Sequence, residues 1–148
     1  MQKFRLDRSL IRVAGPDCVT FLQNLLTQNV ERLDSEPVVY SALLSPHGKV
    51  IADMLLWQDG DEDEAAIVIE SDRARADDLL KRLTLYKLRA QVTIEDVRTE
   101  FTPGFSPEPF DGGAADPRMP NGELGWRELS PLPRDWSKED DGAAVYEA

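Results

Sequence analysis

The chain has 148 residues, 41% of them hydrophobic and 30% charged, and its net charge is −11. That length suits one ordinary domain with enough apolar material for a core. The acidity denies a phosphate backbone its basic footprint, and no window reaches the ~18 uncharged apolar residues of a membrane span, so neither nucleic acid nor membrane is expected as a partner.

The opening MQKFRLDRSLIRV lacks a basic stretch followed by the apolar core of a signal peptide. Cys18 is the only cysteine, so no intramolecular disulfide is available. Cytoplasm is the expected compartment. Residues 1–97 hold three of the ten prolines, and residues 98–148 hold the other seven with six of the nine glycines. The first part reads as a packed domain. The second reads as a Pro/Gly-rich connection and the incomplete start of another unit, with short ordered pieces.

SLIRVAG (9–15) reads as a strand closed by glycine. A helix is expected over 15–30, with Pro16 in its first turn and Asp17 at the positive end of its dipole. Cys18, Phe21, Leu22, Leu25 and Leu26 give it one apolar face, so Cys18 reads as a small core residue. Residues 37–60 read as a hairpin bent at SPHGK, with His47 as an exposed turn residue. DGDEDE (59–64) is a solvated acidic turn that lacks the spacing of a calcium loop, and AAIVIE (65–70) is a third strand.

A second helix is expected over 71–88, N-capped by Ser71 and burying Ala76, Leu79, Leu80, Leu83 and Tyr86. QVTIEDV (91–97) closes the domain as a strand. The order β-α-β-β-β-α-β predicts an α+β fold with a mainly antiparallel sheet and helices on one face. Trp126 and Trp136 read as anchors for loops of the Pro-rich region. One histidine and one cysteine cannot build a four-ligand zinc site, no metal is expected, and no GxGxxG, GxxxxGK[ST] or GxSxG string occurs.

The second hairpin arm, GKVIADMLLW (48–57), raises a question of charge. From Val50 to Trp57 only Asp53 is polar. Alternation puts Val50, Ala52, Met54 and Leu56 on one face and Ile51, Asp53, Leu55 and Trp57 on the other. Both faces are apolar, and helices cover one, so the other needs a domain, a subunit or a ligand. Asp53 either bonds a backbone amide or an arginine, or meets the N–H groups of a ligand. Tyr40, on the first arm, is either a packing residue or the stacking half of a site for a flat, amide-bearing heterocycle.

Four stretches together carry a resemblance: RVAGPDCVTFLQNLLTQNV (12–30), YSALLSPHGKVIADMLL (40–56), LTLYKLRAQVTIED (83–96) and ADPRMPNGELGWR (115–127). Their order resembles the YgfZ family of folate-binding proteins, which includes a mitochondrial iron–sulfur assembly factor. That family is similar to the glycine-cleavage T-protein, a tetrahydrofolate-dependent aminomethyltransferase. The resemblance implies an N-terminal folate-binding domain, tetrahydrofolate as cofactor, and iron–sulfur client proteins as partners. It implies Tyr40 and Asp53 beside the pterin, and Arg118 either neutralising Asp116 or holding the glutamate tail of folate. Ala52-Asp53 stands where the T-protein has two acids, which disfavours aminomethyl transfer; that activity is the alternative reading. The KGCxxGQE-type signature of the family's C-terminal part is absent, and DGAAVYEA does not look like a natural ending. A truncated chain is therefore expected, with self-association through the uncovered strand face.

Overall fold

The computed structural model describes residues 3–131. Trp136 and the terminal DGAAVYEA lie outside the described residues. The chain divides into two compact units, Ser9–Val97 and the combination of Met1–Arg8 with Arg98–Ala148.

The unit Ser9–Val97 follows the expected order. β2 (Arg8–Ala14) leads into α1 (Cys18–Leu25); β3 (Val38–Leu44), β4 (Val50–Gln58) and β5 (Ala66–Asp72) follow, then α2 (Ala76–Lys87) and β6 (Thr93–Asp96). The strands form one sheet in the order β3-β4-β5-β2-β6. The β3–β4, β4–β5 and β2–β6 pairs are antiparallel. Cys18, Phe21 and Leu22 from α1 and Leu79 and Leu83 from α2 pack with Val39, Met54, Leu56, Ile67 and Ile69 in one core. These strand residues share one face by alternation, so both helices cover that face. The α+β reading with a mainly antiparallel sheet holds.

Both helices are shorter than their periodicity predicts. α1 stops at Leu25 because the next residues pair with a strand: Leu26 bridges Leu43, and the Thr27 N–H donates to Ala42 O at 3.0 Å. A five-residue 3₁₀ turn, Val30–Asp34, follows, capped by Asn29, whose side chain accepts from the Glu31 N–H. The cap before α2 falls one residue later than expected. Ser71 ends inside β5, and Asp72 caps the 3₁₀ turn Arg73–Arg75 by accepting from the Ala74 N–H. Asp17 does not cap α1 through its side chain; its carboxylate accepts from the Gln91 N–H at 2.8 Å.

The second unit contains β1 (Phe4–Arg5), β7 (Phe101–Ser106), β8 (Ala114–Ala115) and β9 (Trp126–Pro131). They make a four-stranded antiparallel sheet in the order β1-β7-β9-β8. No helix among the described residues is long and apolar enough to cross a membrane.

Candidate functional site

The hairpin β3–β4 fixes the site by register. Tyr40 lies opposite Leu55, and Ala42 lies opposite Asp53. Tyr40 and Asp53 are therefore diagonal neighbours on one face, within reach of a long side chain. Because Ala52 and Met54 join the helix-covered core, Asp53 stands on the opposite face. The Tyr40 hydroxyl donates to Asp53 Oδ2 at 2.9 Å. Both residues are exposed, Tyr40 at 36%. Among the described residues the Asp53 carboxylate makes no other hydrogen bond and no ion pair. It is bound neither by a backbone amide nor by an arginine.

A bulge between Leu43 and Leu44 alters the alternation at the start of β4. Leu43 pairs with Ala52, but Leu44 pairs with Val50, leaving Ile51 as the extra residue. Ile51 then packs against the helix-side core, and Val50 is 62% exposed. This is the reverse of what strict alternation predicts for these two positions.

The deeply buried acids are elsewhere. Glu70, fully buried at the end of β5, lies opposite Leu55 in the same row as Tyr40. It accepts from Trp57 Nε1 at 3.0 Å. Sequence reasoning missed it, although an acid ending the run AAIVIE carries the signal that singled out Asp53.

Asp116, fully buried in the other unit, holds two arginines. Its Oδ1 accepts from the Arg118 backbone N–H at 3.0 Å and from Arg118 Nε at 2.9 Å. Its Oδ2 accepts from Arg118 Nη2 at 2.6 Å and from buried Arg127 Nη1 at 3.2 Å. Burial pushes the Asp116 carboxyl up, but the Arg118 hydrogen bonds and the charges of both arginines outweigh it and leave it below the ordinary aspartate range. The DPR and LGWR strings thus meet as one ion network. Gly125, at φ +81, permits that meeting: a side chain there would run into the Phe105 ring and the Ser106 carbonyl. Arg118 also lines a cleft of about 230 Å³ with Phe105, Pro107, Glu123 and Leu124. Of the three expected ligand-binding residues, Tyr40 and Asp53 meet in the unit Ser9–Val97, and Arg118 belongs to the other unit.

The remaining candidates are placed as follows. Cys18 is fully buried in the core, donates to Val13 O at 3.2 Å, and burial pushes its thiol up to about 11. His47 is exposed in a turn where Ser45 Oγ accepts from the His47 and Lys49 N–H groups. In the acidic turn, Asp59 accepts from Arg12 Nε at 2.7 Å, and Asp61 accepts from the Asp63 and Glu64 N–H groups. Among the described residues, no group of three or more His, Cys, Asp or Glu is placed to hold a metal ion. Trp126 packs over the turn at Gly122.

Residues 8–103 match the GCVT N-terminal domain family. The iron–sulfur cluster assembly factor IBA57 homolog, mitochondrial, of Pyricularia oryzae is 30% identical over 139 aligned positions, an alignment that covers 84% of this chain and 34% of that protein. The human iron–sulfur cluster assembly factor IBA57, mitochondrial, is 30% identical over 167 aligned positions, an alignment that covers 96% of this chain and 44% of that protein. The chain thus spans less than half the length of these relatives. Among solved structures, the glycine cleavage system aminomethyltransferase T from Bartonella henselae matches with a TM-score of 0.60 at 18% identity, covering 70% of this chain and 28% of its own; it shares the fold.

These names correct the cytoplasmic expectation, since the relatives are mitochondrial by name. That expectation rested partly on cysteine count. A chain with one cysteine forms no internal disulfide in any compartment, so the count does not discriminate among them. With the match running unbroken through α1, the β3–β4 hairpin and α2, the chain belongs to the GCVT N-terminal domain family.

Proposed function

We propose that this chain is the N-terminal part of an iron–sulfur cluster assembly factor of the YgfZ type that binds a reduced folate, tetrahydrofolate, at the β3–β4 hairpin. Family membership and the names of the relatives support the assembly role. The observation that carries the folate reading is the Tyr40–Asp53 pair. A carboxylate only accepts hydrogen bonds, and that of Asp53 is exposed and held in place by one hydroxyl. It suits the adjacent ring N–H and exocyclic amine of a pterin, while the exposed Tyr40 ring offers a stacking surface. Iron–sulfur proteins are the clients, and Arg118, whose Nε and Nη2 donate to Asp116 in the other unit, is given no part in the hairpin site. The role proposed is binding and assembly. Leu55 and Trp57, of the strand face expected to be uncovered, are buried, so self-association would be left to the exposed Leu44 and Val50 at the hairpin end.

Titrating the full-length protein with tetrahydrofolate by anaerobic calorimetry tests this. Saturable binding is expected, and Asp53→Asn should weaken it about tenfold or more, the worth of a hydrogen bond to a charged group. An affinity unchanged within about twofold removes the role given to Asp53.

A further inference from the structure

The face that carries Tyr40 and Asp53 continues beyond them toward the hairpin end. Tyr40, Ala42 and Leu44 alternate along β3, so their side chains leave one face. Asp53 lies opposite Ala42 and Val50 lies opposite Leu44, so both share that face. The bulge makes this possible: Val50 and Asp53 are three residues apart, and strict alternation would have placed them on opposite sides. Leu44 is 38% exposed and Val50 is 62% exposed.

The other directions across this face are closed or polar. Away from the hairpin end come Leu55 and the Val38–Trp57 pair, all buried. Toward β5 the face carries acids: Glu70 opposite Leu55, and Asp72 two residues further. At the outer edge of β3, Thr27 bonds both backbone groups of Ala42, donating its N–H to Ala42 O at 3.0 Å and accepting the Ala42 N–H on Oγ1 at 3.2 Å. A planar ring held by Tyr40 and Asp53 therefore has one apolar, exposed direction in which to carry a second group, over Leu44 and Val50. The scale fits. Rows on one face of a strand are about 7 Å apart, and the methylene–amine bridge of a folate holds its aryl ring at a comparable distance from the pterin. Charge fits as well. Asp53 is the only acid between Pro37 and Gln58, in a chain with 28, so carboxylates on the far side of an aryl ring meet little repulsion there. A second copy fits less well, because a stable dimer buries about 800 Å² on each partner, and two exposed side chains supply a small part of that.

We infer that Leu44 and Val50 are specificity-determining residues of the hairpin site, seating the aryl ring of a reduced folate and so selecting aryl-conjugated pterins over free ones. This inference rests on the folate reading of Tyr40 and Asp53.

The test compares two ligands on the full-length protein by anaerobic calorimetry: tetrahydrofolate, and 6-methyltetrahydropterin, which has the same ring system and no aryl group. Tetrahydrofolate should bind at least about tenfold tighter. Leu44→Ser with Val50→Ser should weaken tetrahydrofolate about tenfold and leave 6-methyltetrahydropterin within about twofold, whereas Asp53→Asn should weaken both alike. Both substituted positions are exposed, so the urea midpoint should stay near that of the parent. If the double variant loses both ligands, Val50→Thr, which keeps the branched shape, decides: it should weaken tetrahydrofolate alone, by about threefold. The inference is overturned if 6-methyltetrahydropterin binds the parent as tightly as tetrahydrofolate, or if the variants bind tetrahydrofolate as the parent does. It is equally overturned if the variants change only the sedimenting mass, which would assign Leu44 and Val50 to a second copy. Those results leave the pterin site standing; binding of neither ligand to the parent removes that site and the inference with it.

Discussion

Tyr40 and Asp53 stand thirteen residues apart in the chain and 2.9 Å apart in space, joined diagonally across the β3–β4 hairpin. Neither lies opposite the other: Tyr40 faces Leu55 and Asp53 faces Ala42. The bond therefore aims the hydroxyl and the carboxylate at each other without contributing to register. A single hydrogen bond between solvent-exposed groups adds little to stability, so Tyr40→Phe and Asp53→Asn should each cost less than about 1 kcal/mol in urea unfolding. A larger loss would show that the pair is structural. Tyr40→Phe keeps the ring and releases the carboxylate, so ligand stacking should survive it.

The Asp116 network should behave in the opposite way. Asp116 and Arg127 are both buried, and breaking such a pair from one side costs about 3–5 kcal/mol. Asp116→Asn should show that loss in the urea midpoint with an unchanged slope. Arg118→Ala should lose roughly half as much or less, because its side chain is partly exposed and Asp116 keeps Arg127.

The same carboxylate sets a pH dependence. Its folded pKa is depressed, so its contribution is complete above the unfolded aspartate value of about 3.9 and is lost as the pH falls through the folded one. The unfolded state then binds the proton more readily, and stability falls with it. Acid titration of unfolding should therefore show a steeper loss below about pH 4 in the parent than in Asp116→Asn. Equal slopes would remove Asp116 from the acid response.

The hairpin was legible because a turn at SPHGK ties the two arms together, but the diagonal pair needs the true register, since a slip of one residue would put Tyr40 and Asp53 on opposite faces. The bulge that turns Ile51 inward was not, since one extra residue leaves no mark in a run that is apolar on both faces. β7 was hidden for a different reason. Its sequence FTPGFS contains Pro103-Gly104, which reads as a turn, yet Pro103 sits within a paired strand where its carbonyl accepts from the Leu6 N–H. β9 was hidden because its most buried residue is Arg127, neutralised by Asp116, where the pattern of a strand calls for an apolar side chain.

Gly15 closes β2 at φ +131, and a methyl group there would press into the carbonyl oxygen of Gln91. The Gly15 N–H donates to Ala65 O at 2.9 Å, so the backbone cannot shift without loosening the sheet. Gly15→Ala combines a forbidden conformation with a backbone clash and should cost about 2–4 kcal/mol in thermal or urea unfolding. Gly48 has φ +83 but open space around it, so Gly48→Ala should cost only the conformational part, about 1 kcal/mol. Equal losses at the two positions would show that the close approach to Gln91 is not what constrains Gly15.

Cys18 should be silent in the folded protein. With its thiol at about 11, the thiolate fraction at pH 8 is on the order of one in a thousand, and the sulfur is fully buried in the core. Labelling by a thiol reagent at pH 8 should then follow unfolding, and its rate should be independent of reagent concentration once the reagent is in excess. Because the folded thiol titrates higher than an unfolded one, the unfolded state loses its proton first on the alkaline side. Stability should fall by up to about 1.4 kcal/mol per pH unit between roughly pH 9 and pH 11. Cys18→Ala should flatten that decline while leaving a small cavity-related loss at neutral pH. Rapid labelling of the native chain, at a rate proportional to reagent, would place Cys18 outside the core.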